Sequence, residues 1–68
     1  MAAAIYRAWT PLGQEFMLSI GTSDMLAVPM PRPEGEEDFV NRINRVFHDL
    51  AEMETEIVQA GGRCERLP

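Results

Sequence analysis

The sequence predicts an α+β fold, a three-stranded antiparallel meander followed by one long amphipathic helix (βββα), with a possible short C-terminal strand. Three observations predict it. The second half of the chain carries apolar residues at alternating steps of four and three. The first half carries three short β-favouring runs parted by turn residues. A stiff Pro-rich stretch separates the two halves. The 68 residues read as one small domain: sheet over 2–30, connector over 31–35, helix over 36–60 and tail over 61–68.

Residues 2–10 make the first strand, with Ile5, Arg7 and Trp9 on one face and Tyr6, Ala8 and Thr10 on the other. Thr10-Pro11-Leu12-Gly13 is a turn, with Pro at its second position and Gly at its fourth. Residues 16–20 make the second strand, with Phe16, Leu18 and Ile20 on one face and Met17 and Ser19 on the other. Gly21-Thr22-Ser23-Asp24 is a turn cluster. Residues 25–30 make a short third strand with Leu26, Val28 and Met30 on one side. Pro29 argues that this strand ends early or lies at a sheet edge. Pro29, Pro31 and Pro33 then stiffen the connector.

Phe39, Ile43, Val46, Leu50, Met53, Ile57 and Ala60 form an unbroken heptad seam, which favours a helix over a strand. Val40, Phe47, Ala51 and Val58 widen it beyond the narrow stripe of a two-stranded coiled coil, which suggests packing on a sheet, on several helices, or on both. Glu36, Glu37 and Asp38 sit in the first turn, where the helix dipole favours negative charge. Gly35 offers an N-cap, and Gly61 and Gly62 offer the left-handed stop. Arg42 and Arg45 lie in the first half and Asp49, Glu52, Glu54 and Glu56 in the second. An antiparallel neighbour would match the two halves. A helix of about 25 residues spans roughly 37 Å, whereas strands of about six residues span roughly 20 Å. The seam should therefore overhang its sheet, and a second copy of the helix is the expected cover, with Leu50, Met53, Ile57 and Val58 as the dimer interface. The tail, residues 63–68, can add a strand to the sheet edge.

The formal charge is −5 and is unevenly placed. Residues 1–33 carry two Arg and two acids, residues 34–60 two Arg and eight acids, and residues 61–68 two Arg and one Glu. An acidic helix argues against direct nucleic-acid binding and for a protein partner with a basic surface. One cysteine, Cys64, excludes an internal disulfide and suits a reducing cytoplasm. The first residues lack the pattern of a signal peptide, and no apolar run is long enough to span a membrane. All six basic residues are Arg, which suggests a GC-rich bacterial or phage genome.

No motif specifies a reaction. His48 and Glu52 share a helix face at metal-ligand spacing, but one His and one carboxylate do not close a site. Cys64 with His48 lacks an oxyanion site, and the Gly residues form no phosphate loop. No catalytic residue, cofactor or metal is expected. The expected function is a non-enzymatic, small acidic protein-binding regulator or inhibitor, acting as a homodimer on a surface of a larger protein. One form of it is a phage or mobile-element antagonist of a bacterial machine, of the anti-CRISPR type or a nucleic-acid mimic. Glu52, Glu54 and Glu56 on the helix, with Arg7 and Trp9 on the hairpin, are the expected contact residues. The alternatives are an assembly subunit using the helix to oligomerise, and a small ligand-binding or enzymatic domain with its site at a dimer interface.

Overall fold

The structure, a computed structural model, describes residues 2–21 and 27–68, with Ala2 and Ala3 as backbone only. Its elements are β1 (Ala2–Trp9), β2 (Glu15–Gly21), β3 (Ala27–Met30), α1 (Glu37–Val46), α2 (Leu50–Gln59) and β4 (Arg63–Arg66). The strands form one antiparallel sheet in the order β3-β2-β1-β4. The meander is present, and the tail supplies a fourth strand beside β1. Pro29 does lie on an edge strand. Residues 25 and 26 of the expected third strand, and most of the 21–24 turn, lie outside the described residues.

Period-two alternation makes β1 and β2 two-faced. Tyr6, Ala8, Phe16, Leu18 and Ile20 point inward and are buried, together with Ala4. Phe39, Val40, Ile43, Met53 and Ile57 from the helices complete the core. Phe16 and Phe39 meet edge to face, with ring centroids 6.3 Å apart.

The expected single helix over 36–60 is corrected to two helices. Phe47 ends α1 in helical geometry, and Asp49 then turns extended at φ −118° and ψ 102°. Its carboxylate accepts from the Glu52 N–H at 3.1 Å and so caps α2. A cap of this kind stabilises by about 1 kcal/mol and offsets part of the interrupted helical ladder. Folding back also covers Met53 and Ile57, each worth about 1.5–3 kcal/mol of apolar burial. Burial therefore outweighs helix continuity. The molecule measures 30 × 22 × 21 Å, too short for the expected strut.

The heptad seam is real, but one chain uses both halves of it. Met53 and Ile57 are 0% exposed and Leu50 is half-buried; Val58 alone of the expected interface is exposed, at 63%. The overhang that called for a second helix does not exist. The charge asymmetry is met inside the chain, where Arg42 Nε of α1 donates to Glu56 Oε1 of α2 at 2.6 Å.

The end of α2 follows the sequence closely. Gly61 has φ +96°, its N–H donates to Val58 O at 3.0 Å, and the Gly62 N–H donates to Ile57 O at 2.9 Å. This is the Schellman stop, and it turns the chain into β4. Gly62 is needed for a different reason. A Cβ there would stand 2.6 Å from Trp9 O and 2.9 Å from the Phe39 ring.

Gly62→Ala should therefore lose about 1–3 kcal/mol through overpacking. Urea denaturation measures this, and an unchanged midpoint would refute the close approach. Asp49→Ala should lose about 1 kcal/mol by uncapping α2. Stability equal to wild type would show that the break does not depend on the cap.

Candidate functional site

Two faces of the molecule carry chemistry that the fold does not consume. The helical layer is the first. Residues 34–60 hold eight acids against two Arg, and Glu37, Asp38, Asp49 and Glu52 are exposed. The expected trio of Glu52, Glu54 and Glu56 is divided by the structure. Glu56 is held by Arg42. Glu54 Oε2 accepts from the buried Tyr6 hydroxyl at 2.7 Å. Only Glu52 points freely outward.

Tyr6 projects from β1 toward α2. Burial first, and then the hydrogen bond to Glu54, push its phenol up to about 12. Burial, helped by Glu54, also raises the Cys64 thiol, which makes it a poor nucleophile. His48 is exposed and stacks edge-on against Phe47 at 5.4 Å. Among the described residues, no group of three His, Cys, Asp or Glu side chains converges as a metal site. Among them too, no buried side-chain nitrogen or oxygen lacks a hydrogen-bond partner.

Glu36 departs from its expected place within the first turn of the helix. It is the N-cap residue of α1, in place of Gly35, and makes no side-chain cap of its own. Gly35 instead takes φ +74° just ahead of it. The Glu36 carboxylate reaches the β1–β2 turn, accepting from the Leu12 N–H at 3.2 Å and from Gln14 Nε2 at 2.6 Å. Burial pushes this carboxyl up, but hydrogen bonds from Thr10, Gln14 and the Leu12 N–H outweigh it and leave it below its usual value. The turn itself is closed by Gly13 N–H to Thr10 O at 2.9 Å. A depression of about 240 Å³ opens beside it, lined by Pro11, Glu36, Asp38, Phe39, Arg42 and Ala60. Its buried carboxylate and its guanidinium are already engaged within the chain.

The open face of the sheet is the second candidate. Arg7 and Trp9 lie on it, opposite the helices, so the expected hairpin contacts and the helix acids do not form one site. Arg7 sits between Glu15 and Glu65, at 3.6 and 3.7 Å. Arg63 stacks over the Trp9 ring at 4.3 Å. Around them Ile5, Met17, Val28 and Met30 are exposed. Sequence reasoning placed Val28 and Met30 on one side of a strand and Met17 opposite Phe16. Their coming together depends on register, which puts Met17 beside Met30 and Ser19 between Val28 and Ile5.

Among the described residues no helix is long and apolar enough to cross a membrane. No family model, curated protein or solved structure matches this chain.

The chain has one tyrosine, so phenolate absorbance on alkaline titration reads Tyr6 alone. Its folded value is raised above the unfolded one. The stability it contributes is thus complete below about pH 10 and lost as pH rises through about 12. Native protein should show little phenolate at pH 10–11, and Glu54→Gln should move the titration downward. An ordinary titration near 10 would refute the buried hydrogen bond.

Proposed function

We propose that this chain is a non-enzymatic, cytoplasmic protein-binding regulator that docks its acidic helical layer on a basic surface of a larger protein. The observation that carries the reading is charge segregation. Residues 34–60 have a formal balance of −6 within a chain of −5, and of the exposed acids there all but Glu34 belong to the helical layer. Such a layer steers encounter with a basic partner and repels acidic ones. The engaged state of Arg42, Glu54, Glu56 and Glu36 supports a binding face over a reaction centre, because these groups hold the fold together.

The contact set narrows accordingly to Glu37, Asp38 and Glu52, with Asp49 reserved for its cap. Reversing Glu54 or Glu56 would confuse loss of folding with loss of binding. The triple variant Glu37→Lys, Asp38→Lys, Glu52→Lys should weaken capture of a basic partner by about tenfold or more, with a reduced dependence on salt. Each Lys also forfeits about 0.3–1 kcal/mol of helix-dipole stabilisation in a first turn, so circular dichroism first establishes that the variant is folded. Affinity capture from bacterial lysate at two ionic strengths makes the comparison. Retention of the same partners by the triple variant, equally at both, would refute an electrostatic docking layer.

A further inference from the structure

We infer that the open face of the sheet is a self-association surface, on which a second copy of this chain packs face to face. An antiparallel sheet with one solvated face ordinarily alternates apolar inward and polar outward. Here Ile5, Met17, Val28 and Met30 occupy outward positions and are 37–67% exposed. Register gathers them: Met17 pairs with Met30, and Ser19 lies between Val28 and Ile5.

Charge selects the occupant. The open face carries Arg7 and Arg63 against Glu15 and Glu65, a balance of zero. The formal −5 of the chain lies among its other residues. Two copies repel through their helical layers and meet without net repulsion only through a neutral face. A face-to-face pair also leaves both acidic layers on the outside, free for the partner proposed above. A basic protein gains nothing from the neutral face and is drawn to the helices instead.

The edges of the sheet favour stacking over strand addition. The four residues of β4 include Arg63, Glu65 and Arg66, and β3 contains Pro29, both of which blunt an edge. Four strands about 4.8 Å apart and about six residues long present a face of roughly 20 × 20 Å. Two such faces bury roughly 800 Å², at the small end for specific association. The pair is therefore weak and concentration-dependent, in the manner of stacked sheets about 10 Å apart.

Sedimentation equilibrium of the full chain from about 10 µM to about 1 mM tests this, a range suited to a weak interface. The mass should climb from 7.7 kDa toward twice that value. Met17→Glu, and separately Met30→Glu at the 67% exposed edge position, should weaken pairing by about tenfold or more, because each carries a charge into the packed face from both copies, and Arg7 opposite Met17 is already shared by Glu15 and Glu65. Val58→Glu on the helical layer should leave it unchanged. On dilution of the wild type, amide shifts should move in β1 and β2 and not in α2. A 7.7 kDa particle throughout, assemblies larger than a pair, or pairing indifferent to both Met variants would overturn the inference. The regulator reading stands or falls separately. The triple Lys variant should still pair, and Met17→Glu should still capture a basic partner.

Discussion

The fold depends on the chain doubling back at Asp49, so that two ten-residue helices cover one sheet face. An uninterrupted helix would place its second half beyond the sheet and leave Met53 and Ile57 wet. The Asp49 carboxylate replaces part of the hydrogen bonding lost at the break, and apolar burial supplies the rest. Because the sheet and the helices are of similar length once the helix is divided, a chain this short completes a core without a second copy of its seam.

Three separate segments meet at one corner of that core. The β1–β2 turn receives the Glu36 carboxylate, which fixes where α1 begins. Gly62 brings the end of α2 against Trp9 O and the Phe39 ring. Gln14 adds a second tie, donating to Glu34 O at 2.8 Å and accepting from the Glu34 N–H. Turn, connector and helix ends are thereby joined by hydrogen bonds that no single element could satisfy alone. The acids that do this work of positioning are removed from the surface charge available to a partner.

Covering one sheet face leaves the other uncovered, and the two sides differ in kind. The helical side is acidic and polar, and its exposed carboxylates are spread over both helices. The sheet side is neutral and partly apolar, centred on Arg7 between Glu15 and Glu65. In the readings proposed above, the first surface meets a basic partner and the second meets its own copy. The two do not compete for the same residues.

The alternation of β1 and β2, the Pro11–Gly13 turn, the edge position of β3 and the Gly61–Gly62 stop were legible in the residues, because each is set by local sterics or by a period within a few neighbours. Glu36 and the Glu54–Tyr6 bond were not, because their partners are 22 to 48 residues away in the chain. The break at Asp49 had a local signal, an Asp three residues before Glu52, but a seam running through both helices hid it. Heptad spacing records which side chains face a core and is silent on whether the helix between them is continuous. By itself, then, the sequence determined the strands, the helical period and the acidic balance. The fold-back, the intrachain Arg42–Glu56 pair and the gathering of Ile5, Met17, Val28 and Met30 were decided only by tertiary packing, since register and helix direction bring together residues that share no local pattern.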